Sequence, residues 1–197
     1  MKVSVIALLC ILISSTAIAE GNPVAGKSKS LICSGCHMRD GNSKNPNYPI
    51  LAGQGQDYLI KQLLDYKSGA RKEEQMTPMA EAVSAEDVND IAAYFSTQAR
   101  TPGAAPPPTP PLGKQLYQEG NKTVSACAGC HSADGKGNPA LKFPALAGQH
   151  ADYVAKTLKD FRSAARNNDK QSVMRNIAVD LGDKDIEALA AYIASMR

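Results

Sequence analysis

Three kinds of hydrophobic pattern divide the chain. Behind Lys2, residues Val3 to Ile13 form one apolar run that ends shortly before Ala17-Ile18-Ala19. A cationic start, an apolar stretch well short of the ~20 residues of a spanning helix and a small-x-small end predict a secretory signal peptide over residues 1–19. Cys10 lies within that run behind Leu8 and Leu9, not behind the small residues of a lipoprotein cleavage site. The mature chain is then expected to start at Glu20.

The second pattern has helical period. Val88, Ile91, Ala92 and Phe95 fall at i, i+3, i+4 and i+7 behind the capping residue Ser84, and Ile186, Leu189, Ala190 and Ile193 repeat the face. Leu59, Leu63 and Tyr66 predict a helix from about Gln56 to Ser68, and Val154, Leu158 and Phe161 its partner from about Ala151 to Ala164. Shorter helices are expected from about Val24 and about Leu112, each ending at a cysteine motif. No alternating run is long enough for a β-strand, so the expected fold class is all-α. The third pattern is a gap: Thr101 to Pro111 holds six prolines, which cannot donate the hydrogen bonds of a helix or sheet and read as a semi-rigid linker.

The helices come in matched sets because the chain repeats itself. Tyr48-Pro49-Ile50-Leu51-Ala52-Gly53-Gln54 returns as Phe143-Pro144-Ala145-Leu146-Ala147-Gly148-Gln149, at an offset of 95 residues. Asp90-Ile91-Ala92-Ala93-Tyr94-Phe95 returns as Ala188-Leu189-Ala190-Ala191-Tyr192-Ile193, at an offset of 98. A period this long means two whole domains, expected at 20–100 and 112–197 around the linker 101–111.

Composition changes little in this picture. The 197 residues are 43% apolar and 21% charged, with a formal charge of +3, and no Lys/Arg cluster suggests nucleic-acid binding. Divided by domain, 9 basic residues face 10 acidic ones over 20–100, and 12 face 9 over 101–197. The halves thus differ in sign, which suggests a dipole that orients the molecule toward charged partners.

Cysteine and histidine are the informative rarities. Without the signal, four Cys remain, in Cys33-Ser34-Gly35-Cys36-His37 and Cys127-Ala128-Gly129-Cys130-His131. Each half is near the size at which a core needs a covalent or metal staple. Cys-x-x-Cys-His suits covalent haem attachment, with two thioethers and an iron-ligating imidazole in one turn. A redox dithiol would open a helix after a strand in a βαβ context, which is missing, and a Cys₄ zinc site would leave both following histidines unexplained.

A second protein ligand to each iron would favour electron transfer over catalysis, and methionine is the candidate. Met38 is too close to His37. In the 98-residue register Met76 matches Met174, while Met79 matches Ile177, so Met76 and Met174 are the expected axial ligands and Met79 a packing residue. Pro49 and Pro144 are either carbonyl anchors for the two histidines or plain turn prolines. His150 matches Gly55 and is expected to have a surface or interdomain structural role.

The paired haem motifs, the Pro-x-Leu-Ala-Gly-Gln loops, the Met76-x-Pro-Met79 segment and the Ala-Ala-Tyr helices resemble the cytochrome c4 family of di-haem, tandem class I cytochromes c. The resemblance covers essentially the whole mature chain. It implies two covalently bound haem c groups (iron), thioether links at Cys33, Cys36, Cys127 and Cys130, and axial pairs His37/Met76 and His131/Met174. It also favours the carbonyl-anchor role for Pro49; Pro144 stands one residue further from its histidine. The function implied is that of a periplasmic electron carrier and not an enzyme. It would accept electrons from a quinol-oxidising complex or another donor and deliver them to a terminal oxidase of a respiratory chain, with peripheral membrane association left open. The alternative is the cytochrome subunit of a periplasmic haem oxidoreductase or dehydrogenase.

Overall fold

A computed structural model describes residues 21–103 and 111–197; the signal-peptide expectation and residues 104–110 of the linker lie outside these. Five helices form the first half: α1 (Pro23–Lys29), the single turn α2 (Ser34–His37), α3 (Gln56–Lys67), α4 (Met76–Glu81) and α5 (Asp87–Ser96). The second half repeats them as α6 (Pro111–Gln118), α7 (Ala128–His131), α8 (Ala151–Arg162), α9 (Val173–Ala178) and α10 (Asp183–Ser195). No strand occurs among the described residues, only an isolated bridge between Asn138 and Phe143. Both long amphipathic helices of each half therefore form where periodicity places them.

The first helix of each half departs from expectation. Neither runs on to its cysteine motif. After α1 the chain tightens into a 3₁₀ turn at Ser30–Cys33 before α2. After α6 it leaves the helix at Gly120, φ +71°, and turns at Asn121, whose Oδ1 accepts the amides of Thr123 and Val124. Pro111, read as the last linker residue, is the first residue of α6. It tolerates that place because the first helical residue needs no N–H partner.

Each half is organised by a helix crossing at a glycine. α1 packs on α5 and α6 on α10. A Cβ on Gly26 would lie 1.9 Å from the Asp90 carbonyl oxygen, and one on Gly113 would lie 2.1 Å from that of Ala188. Only glycine allows backbones this close. Separate cores fill the two halves, one around Leu59, Val88, Ile91 and Phe95, the other around Leu116, Tyr117, Phe161, Ile186 and Leu189.

The halves meet through a pseudo-twofold set of hydrogen bonds. Gln54 receives the Ala145 amide on Oε1 (2.8 Å) and donates from Nε2 to the Ala145 carbonyl (3.0 Å). Gln149 treats Ile50 in the same way, at 2.9 and 3.0 Å. Every partner is buried, so each glutamine stands in for a neighbouring strand and satisfies an amide and a carbonyl that water cannot reach. Reciprocal contacts between equivalent residues define an isologous interface, here made within one chain.

Candidate functional site

The two Cys-x-x-Cys-His motifs occupy equivalent single turns. Cys33 ends the 3₁₀ turn and Cys36 and His37 lie in α2; Cys127 caps α7, which carries Cys130 and His131. The helix stops at once after each histidine, because Met38 (φ +63°) and Ser132 (φ +66°) turn into the left-handed region. Such a conformation is costly for a residue with a Cβ, and its presence in both copies marks a constrained site. It swings the chain away and leaves the imidazole facing inward.

Both imidazoles are buried and held alike. Nδ1 of His37 lies 2.9 Å from the Pro49 carbonyl, and Nδ1 of His131 lies 2.9 Å from that of Pro144. A carbonyl only accepts, so Nδ1 carries the proton and Nε2 keeps its lone pair for a metal. Burial lowers the pKa of each ring, and the carbonyl bond opposes this only in part, so the neutral, ligating form prevails. Tyr48 and Phe143 tilt against the two rings, at 6.3 and 6.2 Å between centroids.

The proline loops are themselves pinned twice. The amides of Leu51 and Ala52 donate to the Gly41 carbonyl at 2.8 and 3.2 Å, and those of Leu146 and Ala147 to Gly135 at 2.7 and 3.0 Å. Gly53 then donates to the last turn of α5 at Phe95, and Gly148 to Ile193 of α10. The Leu-Ala-Gly-Gln sequence thus has a task at nearly each position, and together these bonds fix the carbonyl that orients the histidine.

Burial pushes the Cys33 and Cys127 thiols up to about 11, with a smaller effect from the second cysteine of each pair. That opposes the thiolates a redox dithiol or zinc site needs. Among the described residues no three His, Cys, Asp or Glu side chains converge on a common metal position, and all four cysteines are free, half-buried thiols. Free thiols in one turn with an uncommitted imidazole nitrogen fit covalent haem attachment.

Met76 is the first residue of α4 and Met174 the second of α9; both are half-buried, and the buried Ala80 and Ala178 follow each by four residues. α4 packs on α3 and α9 on α8, whereas α7 rests on α6 and α2 on the 3₁₀ turn before it. Each methionine and its histidine are therefore carried by different supports. Met79 is more exposed, and its counterpart Ile177 packs on the core of the second half.

The cytochrome c family profile matches the chain twice, at residues 21–99 and 111–197. Cytochrome c4 of Azotobacter vinelandii is 45% identical, over 99% of both chains. The chain belongs to the cytochrome c4 family. A crystal structure of reduced recombinant cytochrome c4 from Pseudomonas stutzeri superposes with a TM-score of 0.86 at 45% identity, over 90% of this chain and 100% of that one. A protein of Stutzerimonas stutzeri named thiosulfate dehydrogenase electron acceptor is 33% identical, over 89% of this chain and 81% of its own. As a member of the family the protein carries two covalently bound haem c groups, one per domain, and transfers electrons; it is not an enzyme.

Two features of the site had little or no sequence signal, and a third, His150, takes the interdomain role expected of it. Gln54 and Gln149 stood out only as part of the repeat. Gly26 and Gly113 had no periodicity to mark them. His150, which the repeat left without a counterpart, is buried between the halves with Nε2 2.8 Å from the Ser43 carbonyl. Gly103 lies beneath it, where a Cβ would stand 2.7 Å from Nδ1.

Proposed function

We propose that the protein is a periplasmic carrier, exported by cleavage after Ala19, that delivers electrons to the terminal oxidase of a respiratory chain. Cys33 and Cys36 hold the first haem by thioether bonds and Cys127 and Cys130 the second. His37 with Met76 and His131 with Met174 would supply the protein ligands that hold the two irons. The observation that carries this reading is the repeated 2.9 Å bond from each imidazole Nδ1 to its proline carbonyl, which leaves one metal-binding nitrogen per half.

Bound in these sites, haem supplies a one-electron ferric/ferrous couple. The residues tune and protect it. The proline carbonyl makes the imidazole a better donor, and a methionine ligand beside the histidine would raise the potential, which suits delivery to an oxidase. The closing ligands keep oxygen and other small molecules off the iron. Gln54 and Gln149 hold the two histidine-anchoring loops against each other across the domain boundary. No helix among the described residues is long and apolar enough to cross a membrane, as a diffusing carrier requires of its body. The difference in charge between the halves favours docking of donor and acceptor on different domains.

A second reading, electron acceptance from a thiosulfate-oxidising enzyme, is favoured by the relative named for that role. Steady-state assays separate the two. Reduced protein added to oxidase-containing membranes should support oxygen uptake that falls as salt rises, while thiosulfate dehydrogenase with thiosulfate should reduce it slowly. Fast reduction by that enzyme with no oxygen uptake would reverse the assignment.

A further inference from the structure

Arg100 joins the two histidine-anchoring loops, and no repeat logic predicts it. Its Nε donates to the Ala52 carbonyl and its Nη1 to the Ala147 carbonyl, both at 2.9 Å, and Nη2 lies 3.4 Å from the Ile50 carbonyl. Ala52 and Ala147 are the same position of the repeated loop, 95 residues apart. The guanidinium therefore bridges the two loops at the same repeat position, with bonds of equal length. Three residues before Ala52 and Ala147 stand Pro49 and Pro144, whose carbonyls hold His37 and His131.

No Asp or Glu among the described residues forms an ion pair with Arg100, and its contacts are carbonyl oxygens. Burial lowers its pKa to about 10, which leaves it fully charged at neutral pH. A buried charge acts over a longer range than a screened surface charge. If tying two loops together were the whole task, a neutral side chain with two donors would serve.

We propose that Arg100 is a shared positioning residue that registers the two loops and, through the positive charge it holds between them, keeps both haem reduction potentials up together. Taking up one electron converts ferric to ferrous iron and removes one positive charge at the haem, so a fixed cation nearby favours the reduced form at both sites. The inference rests on the haem-ligand assignment given above.

Spectroelectrochemical titration of the holoprotein tests it. Arg100→Gln should shift the equilibrium of both haems with a mediator about tenfold toward the oxidised form, which is 59 mV for a one-electron couple. Arg100→Lys, which keeps the charge but not the fork, should stay within about twofold of the parent at neutral pH. Lys27→Gln, which removes a surface charge, should also stay within about twofold. The proposal is overturned if Gln and Lys at position 100 behave alike, if only one haem responds, or if Lys27→Gln shifts both haems as far. Should Arg100→Gln not fold, Arg100→Met is read by the same criteria; should neither fold, a purely structural role is indicated and the charge claim fails. Failure of the ligand assignment is distinguishable, since the parent itself would then lack the spectrum of two six-coordinate low-spin haems.

Discussion

In the first half Arg71 and Met76 are five residues apart; in the second, Arg166 and Met174 are eight apart. The extra residues place Asn168 in the interface, where its amide donates to Gln62 and Asp65 and its carbonyl accepts from Lys61. The symmetry-related position stays open as a notch of about 210 Å³ bordered by Arg71, Lys156, Asp160 and Arg166. There Thr157 stands opposite Gln62 in the repeat, and is too short to gather the donors that Gln62 gathers. The helix crossings diverge as well. Lys29 pairs with Asp87 and Asp90 at the first crossing, while Leu116, three residues after Gly113 as Lys29 is after Gly26, is buried in the core at the second. By contrast, the histidine bonds, the proline loops and the glutamine clasp agree between halves to about 0.2 Å. The histidine anchors and the glutamine clasp are duplicated, whereas Asn168, His150 and Arg100 each cross between the halves only once.

Breaking what the halves share should give the largest effects. Met76→Ala should let carbon monoxide bind one ferrous haem per chain, raising its affinity at that site by about 10²-fold or more, and Met174→Ala should do the same at the other. Met79→Ala and Ile177→Ala should leave both irons closed. Optical titration with carbon monoxide checks this, and an iron opened by Met79→Ala would show that the repeat register is wrong.

Next come the glycine crossings. Gly26→Ala and Gly113→Ala each drive a methyl group into a backbone carbonyl, and each should cost about 3 kcal/mol, at the upper end for overpacked sites. Calorimetry should find a Tm lower by roughly 10 °C or more in the affected half. Equal tolerance of alanine at both sites would refute the close crossing.

The clasp should respond symmetrically. Gln54→Ala orphans the amide and carbonyl of Ala145, and Gln149→Ala those of Ile50, so each should weaken interdomain docking by about 1–3 kcal/mol. Protease cleavage near the linker reads this directly. Markedly unequal effects would mean that the twofold geometry carries no equal energetic weight.

The smallest effect distinguishes the halves. Lys29 raises no demand between about pH 4 and 10, since its own pKa is raised to about 12 and those of Asp87 and Asp90 are held below the carboxylate value of 3.8 by its ammonium. Depressed carboxylates contribute stability above their unfolded pKa and lose it as pH falls through the folded value. The α1–α5 crossing should therefore loosen below about pH 4 before the α6–α10 crossing, where the buried Leu116 stands in place of Lys29, and modestly because the groups are exposed. Hydrogen exchange of α1 against α6 measures the order, and simultaneous loosening would count against it.

Much of this was legible in the residues. Period 3.6 located α3, α5, α8 and α10, and the two Cys-x-x-Cys-His motifs located the turns that carry the buried histidines. The first helices were drawn too long because composition does not reveal a tightening into 3₁₀ geometry or the left-handed turn at Gly120. Arg100, Gly26 and Gly113 were missed for one reason: each acts on backbone atoms far away in the chain, and such contacts leave no local pattern. His150 was visible as a break in the repeat, but only packing against Ser43 and Gly103 explains the break.

The central claim is that each half holds one haem closed by histidine and methionine. The most direct measurement is the optical spectrum of the purified holoprotein, oxidised and reduced, with and without carbon monoxide, alongside a haem count per chain. Two low-spin haems per chain whose spectra carbon monoxide leaves unchanged are expected. One haem per chain, or ready carbon monoxide binding at either iron of the parent protein, would contradict the account.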